Sequence, residues 1–245
     1  AKVLLLSLVL GCVSCGLLDH PFYSHSDQYW VSPTQGNDFG PGTEEKPFET
    51  ISAALFHLNP GGVVNLLPGT YSGSKNSHVY INEGIKIIST SSDPSDVIID
   101  CSGNYNNVDD CFYISAQYPV TISGLTFTNA NSSAIGFYSS LNSVDLYFVQ
   151  NMIFSDCVKS IFTNVSDITI HVDDSVFVGT DSATPAHGVY CDAGYMILTG
   201  CKFYNLTVDS WQGFAIHLEP SSMVDVISST FVLGSVEYSS TAVYA

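Results

Sequence analysis

From residue 119 onward, apolar and polar residues alternate in short phrases that return at a nearly constant interval. In GLTFTN, Leu125 and Phe127 alternate with small polar residues, and Ile168, Ile170 and Val172 do the same in DITIHV. A period of two sends alternate side chains to opposite faces of a strand. The Phe of such a phrase recurs as Phe127, Phe154, Phe177, Phe203 and Phe231, in steps of 27, 23, 26 and 28 residues. A second phrase follows each Phe, as SAIGFY (133–138), KSIFTN (159–164), HGVYCD (187–192), FAIHLE (214–219) and TAVYA (241–245), and a third precedes it, from PVTISG to MVDVIS. Three short strands per period, joined by Gly, Ser, Asn and Asp, describe coils that bury their apolar faces only by stacking, at about 4.8 Å. The predicted fold is all-β: a right-handed, single-stranded parallel β-helix. An immunoglobulin-like or jelly-roll sandwich also has many short strands, but it gives no reason for a Phe at this interval.

Composition changes the picture mainly by exclusion. The 245 residues carry a formal net charge of −17, and all six basic residues are Lys. Phosphate backbones and anionic lipid call for a basic footprint that this chain lacks, so nucleic acid is not an expected partner. The opening run AKVLLLSLVLGCVSC sets one Lys before an apolar stretch that ends in small residues. That is the pattern of a secretory signal peptide, here residues 1–16, and it is too short for a membrane span, which needs about 20 apolar residues. Sequons at Asn131, Asn164 and Asn205 agree with export and predict glycosylated loops on a secreted or cell-surface protein. Beyond the leader stand Cys101, Cys111, Cys157, Cys191 and Cys201. In an oxidising compartment the separations 101 to 111 and 191 to 201 suit local disulfides, with buried thiols as the alternative. The sequence starts without Met and stops inside a strand phrase, so both ends read as cut.

Residues 29–71 form a different unit, in which Thr50 is placed to cap a helix and Ile51, Ala54, Leu55 and Leu58 make one apolar stripe. Asn59-Pro60-Gly61-Gly62 is the expected stop. Such a helix would act as a lid on the first coil, whose free backbone groups otherwise invite pairing with another chain. Early strands are expected at 63–67, 78–82, 85–89 and 97–100. The unit resembles the opening block of the pectin-lyase-like β-helix superfamily, in Val31, Ser32, Pro33, Gly36, Asp38, Pro41, Gly42, Thr43, Pro47, Phe48, Thr50, Ile51, Pro68, Gly69, Thr70 and Tyr71. Gly61-Gly62 stands where that superfamily usually has Gly-Asp. The resemblance implies a cap and first coil over 29–71 and further coils over 72–245. It leaves function open, because the superfamily includes polysaccharide lyases, glycoside hydrolases, epimerases and surface proteins with no known chemistry.

Individual residues narrow that choice. Lyases of the superfamily use Arg or Lys as a base beside a uronate, whereas this chain has no Arg and scatters Lys46, Lys75, Lys86, Lys159 and Lys202. Val108-Asp109-Asp110-Cys111 resembles the Asp-Asp-Cys phrase of polygalacturonase-type hydrolases, which hold carboxylates across the scissile bond. The companion Gly-His-Gly and basic motifs are missing, Ala186-His187-Gly188 being the one related phrase, and an Asx-rich turn accounts for Asp109 and Asp110 equally well. Alternation sends Asp173 and Asp174 to opposite faces and leaves His171 and Asp173 on one surface, two ligands where a metal site wants more. The candidate catalytic groups are therefore Asp109, Asp110, Asp173 and His187. No cofactor is expected. The loop from Asp100 to Asn106 echoes a calcium loop without its Gly and Glu, which leaves weak calcium binding as the only metal expectation.

Tyr105, Tyr113, Tyr118, Tyr138, Tyr147, Tyr190, Tyr195, Tyr204 and Trp211 are spread over many coils. Exposed, they suit carbohydrate or an extracellular protein; buried, they extend the Phe ladder. The sequence thus reads as a monomeric, secreted or cell-surface ectodomain with a binding, adhesion or structural role and without catalysis. The alternative is a carbohydrate-active enzyme, a glycoside hydrolase or polysaccharide lyase. Two carboxylates about 5 to 9 Å apart in an open groove would favour hydrolysis.

Overall fold

The computed structural model describes residues 26–103, 110–138, 146–179, 187–204, 206, 214–232 and 243–244. Seven short strands, from Gly69–Tyr71 through Thr126–Thr128 to Thr230–Val232, stack in parallel as one sheet. A second sheet of twelve strands, also parallel in every pairing, supplies the other two sides of each coil. In the early coils those two sides are separate strands, such as Phe112–Ile114 and Thr121–Ser123. In the later coils one long strand, Lys159–Asp173, His187–Thr199 or Ile216–Ile227, runs across both. The chain is a parallel β-helix with three faces. The first carries Val79–Ile81, Phe112–Ile114, Ser133–Phe137 and the leading halves of the long strands; the second carries Lys86–Ser89, Thr121–Ser123, Leu146–Gln150 and the trailing halves; the third is the seven-stranded sheet.

Registers explain why the Phe spacing had to be nearly constant. Phe127, Phe154, Phe177, Phe203 and Phe231 are paired coil to coil, and their rings stack with centroids 5.8, 5.0, 4.6 and 4.7 Å apart. On the second face Val64, Ile87, Ile122, Val149, Val172 and Leu198 form an aliphatic ladder that points inward. From the strand Thr121–Ser123 onward, five successive coils join their second and third faces through one residue in the left-handed region: Gly124, Asn151, Asp174, Gly200 and Ser228. Asp174 is therefore a turn residue, of the short polar kind that tolerates this backbone.

The cap follows the expected plan. Thr50 accepts from Ala53 N at 3.2 Å and opens the helix Ile51–His57. The helix stops earlier than the Gly-Gly pair suggests, because Leu58 is already extended and starts the strand Leu58–Leu66. Asp38 fixes the helix entrance by accepting from Glu49 N, Thr50 N and the Thr50 hydroxyl at 2.9–3.0 Å. Gly42 adopts φ +69° with the Phe48 ring against its α-carbon, which leaves no room for a side chain.

Cysteine usage splits. Cys101 and Cys111 form a disulfide with Cα atoms 5.6 Å apart. Cys157, Cys191 and Cys201 are buried free thiols, so the bridge expected between 191 and 201 does not form. The reason is the strand between them: an extended run rising about 3.3 Å per residue carries Cys201 to the third-face turn, far outside the roughly 7 Å that a disulfide tolerates. There the Cys201 thiol donates to Val172 O at 3.3 Å, while Cys191 donates to Ala193 O at 3.4 Å.

Candidate functional site

On the first face the registers align Tyr80, Tyr113, Gly136, Phe162, Tyr190 and His217 in one outer row. Gly136 leaves a gap that is filled from two residues on, where Tyr138 lies flat on Tyr113 with centroids 4.2 Å apart and planes 4° from parallel. The row is then unbroken: Tyr80 to Tyr113 at 5.2 Å, Tyr138 to Phe162 at 5.7 Å, Phe162 to Tyr190 at 5.9 Å and Tyr190 to His217 at 4.2 Å. The rings follow one another along the helix axis, stacked except at Phe162, whose plane is tilted 53° from Tyr138 and 51° from Tyr190.

Asp110 holds the inserted ring in place. It is buried, its Oδ1 accepts from the Ser132 hydroxyl and from Ser133 N at 3.0 Å, and its Oδ2 accepts from the Tyr138 hydroxyl. Burial, and then the neighbouring carboxylate, raise the Tyr138 pKa far above that of an ordinary phenol. Both Asp110 oxygens are thus engaged within the wall.

Toward the later coils, polar groups gather around Tyr190. The Lys159 ammonium lies 4.6 Å from the Phe162 centroid and 4.7 Å from the Tyr190 centroid, a cation–π arrangement with two rings. His217 Nε2 meets Glu219 Oε1 at 3.0 Å, and the Tyr190 hydroxyl donates to the same oxygen at 3.5 Å. Burial, followed by the charges of Glu219 and Asp192, raises the Tyr190 pKa. His187 is buried edge-on to Tyr190 and His217, with centroids 5.5 and 5.9 Å away. Burial, then the proximity of His217 and Lys159, lowers its pKa from 6.5 to about 4, so it is neutral at pH 7.

Among the described residues, the sequence-derived candidates do not come together. Asp110 and His187 share the first face, but the ladder Phe112, Ile135, Ile161, Val189 puts three coil steps of about 4.8 Å between them, roughly 14 Å. Asp173 lies on the second face, where Gln150 Nε2 donates to its Oδ2 at 3.2 Å. Asp109 lies outside the described residues, as do Tyr105, Trp211, Asn205, residues 104–106 of the loop 100–106 and the leader 1–16. Asn131 and Asn164 are exposed. Tyr147 is buried and donates to Ala116 O at 2.6 Å, while Tyr118 is exposed near Gly84. Sequence reasoning passed over Phe162, His217, Glu219 and the role of Lys159. The signal was present: VYI, FYI, IFT, VYC and IHL each set an aromatic ring or imidazole between two inward residues.

The family described as protein of unknown function (DUF1565) matches residues 34–197. Among solved structures, one titled rhamnogalacturonan lyase superposes with a TM-score of 0.61 at 15% identity, covering 83% of this chain and 56% of its own. The likeness is one of fold, and the chain spans little more than half of that structure's length. No curated protein matches the sequence.

Proposed function

The chain belongs to the DUF1565 family, whose function is unknown, and from that premise we propose that it is a secreted or cell-surface β-helix ectodomain that binds carbohydrate along its first face without cleaving it. The observation that carries this reading is the unbroken outer row Tyr80, Tyr113, Tyr138, Phe162, Tyr190 and His217. The row gives a strip of aromatic ring surface that advances at the coil spacing of about 4.8 Å, with Lys159 and Glu219 beside it. Repeating solenoid faces serve as extended binding surfaces elsewhere. A net charge of −17 disfavours polyanionic sugars and points to a neutral or weakly charged glycan. Cleavage is the poorer account, since Asp110 is committed to Ser132, Ser133 and Tyr138 and Asp173 sits on another face.

The test is to incubate the secreted, glycosylated chain with immobilised neutral and acidic polysaccharides and to score both retention and new reducing or unsaturated ends. Retention without new ends is expected, and it should fall at least tenfold in the double variant Tyr113→Ala, Tyr190→Ala. Undiminished retention by that variant would rule out the first face. New ends that vanish on Glu219→Gln would replace binding by catalysis at the Lys159, Tyr190, His217 and Glu219 group.

A further inference from the structure

The three tyrosines that open the row differ in where a phenol proton can go. Tyr80, 59% exposed, stacks on Tyr113 with centroids 5.2 Å apart, and Tyr113 stacks on Tyr138 at 4.2 Å with the planes 4° from parallel. Of the three, Tyr138 is the one whose hydroxyl donates to a carboxylate among the described residues, at Asp110 Oδ2. That carboxylate is buried, and its Oδ1 accepts from the Ser132 hydroxyl and Ser133 N. Phe162 comes next, tilted by 53° and without a phenol, and it separates the trio from Tyr190. Tyr118 is equally exposed, at 57%, but stands outside the row.

We infer that Tyr80, Tyr113 and Tyr138 form a one-electron relay, in which an oxidising equivalent that enters at Tyr80 comes to rest on Tyr138. The direction follows from the proton. A phenol that loses an electron becomes a strong acid, so oxidation is easiest where a base already accepts the phenolic hydrogen bond. A one-electron oxidant in solution takes an electron from Tyr80, whose proton leaves to water. An electron then passes from Tyr138 through Tyr113 to the Tyr80 phenoxyl, which takes a proton back from water, while the Tyr138 proton moves to Asp110 Oδ2. In the net change the oxidant gains one electron, and the wall holds a Tyr138 phenoxyl beside a neutral Asp110 acid. That acid donates back to the phenoxyl oxygen and keeps Ser132 and Ser133 on Oδ1, so every polar group stays paired and no charge is left in the wall. Phenoxyls on exposed rings meet and join through ring carbons as dityrosine, the ring hydrogens moving to the oxygens. A radical held inside the stack between Tyr113 and Phe162 has no such partner. The relay thus draws oxidation off the exposed surface, an activity separate from carbohydrate binding and readable without a glycan.

Illumination of the full chain with ruthenium tris-bipyridine and persulfate, which supplies a one-electron oxidant, tests it by electron paramagnetic resonance and by peptide mapping of dityrosine. The parent should give one dominant tyrosyl radical, with a coupling to an exchangeable deuteron in heavy water and a lifetime at least tenfold longer than that of any radical in Tyr138→Phe, which keeps the stack and loses the phenol. In the parent, dityrosine at Tyr80 should be at least fivefold rarer than at Tyr118. Tyr113→Phe leaves Tyr138 and Asp110 in place but interrupts the path, and it should raise Tyr80 cross-linking to the level of Tyr118. Both variants are compared with the parent at a temperature where circular dichroism shows all three folded. An unchanged radical lifetime in Tyr138→Phe, equal cross-linking of Tyr80 and Tyr118 in the parent, or no response of Tyr80 to Tyr113→Phe would each overturn the relay.

Discussion

Gly136→Ala couples the wall of the solenoid to its outer row in one substitution. A methyl group at position 136 would stand 2.1 Å from Asp110 Oδ2 and 2.6 Å from Tyr138 Cε2, both far inside contact distance. Backbone pairing to Phe112–Ile114 and Lys159–Asp173 holds residue 136 on both sides, so the side chains must yield. Expelling Tyr138 removes its hydrogen bond to a buried carboxylate, about 1.5–3 kcal/mol, and its stack on Tyr113, about 0.5–1.5 kcal/mol. Relaxation offsets part of this, and a net cost of about 2–4 kcal/mol is expected. Urea denaturation followed by circular dichroism measures it. Tyr138→Phe, which keeps the stack and loses the hydroxyl, should cost about 1.5–3 kcal/mol. In a Tyr138→Ala background Gly136→Ala should cost at least 1 kcal/mol less than in the parent, because both changes act through the same ring. Strict additivity of the two, or a cost below about 0.5 kcal/mol for Gly136→Ala alone, would refute the reasoning.

Other perturbations separate core, electrostatics and covalent closure. Phe177, fully buried between Phe154 at 5.0 Å and Phe203 at 4.6 Å, should cost about 3–5 kcal/mol on change to Ala, and hydrogen exchange should locate the loss in neighbouring coils because a solenoid couples mainly neighbour to neighbour. His187 is held neutral to about pH 4 in the fold and titrates near 6.5 when unfolded. Between these values the unfolded chain binds the extra proton, so stability is full above pH 6.5 and declines by about 3 kcal/mol as pH falls through 4; His187→Gln should flatten that part of the pH–stability curve. Reducing Cys101–Cys111, which closes a ten-residue separation, should cost about 2.7 kcal/mol by loop entropy. Without denaturant, Cys157, Cys191 and Cys201 should resist a thiol reagent at pH 8, since burial raises their pKa values to about 12, 11 and 11; labelling within seconds would show that the coils around them are open.

The fold was legible because its physics repeats. One inward Phe per coil, period-two alternation and a capping Thr each state a local rule, and stacking makes the local rules agree. Asp38 and Gly42 were visible as motif residues, and their reasons, helix-entry hydrogen bonds and contact with Phe48, needed coordinates. The site was less legible, because it depends on which residues of different coils fall in register. Tyr138 joins the row although alternation assigns that place to Gly136, and only the contact with Asp110 explains the exchange. Asp110 was chosen as a candidate acid from a three-residue resemblance; a side chain's hydrogen-bond partners 22 to 28 residues away are not written in such a phrase. Cys191 and Cys201 misled for a related reason, since separation in sequence says little about distance when an extended strand intervenes.

The central claim is that the outer row of the first face is the surface on which the ligand lies. Hydrogen exchange read by mass spectrometry, with and without a glycan retained by the chain, tests it most directly. The account predicts slowed exchange in Phe112–Ile114, Ser133–Phe137 and the leading half of Lys159–Asp173, with the third-face strands Thr126–Thr128, Ile153–Ser155 and Val176–Val178 unchanged. Slowing confined to the third face, with the first face untouched, would contradict it.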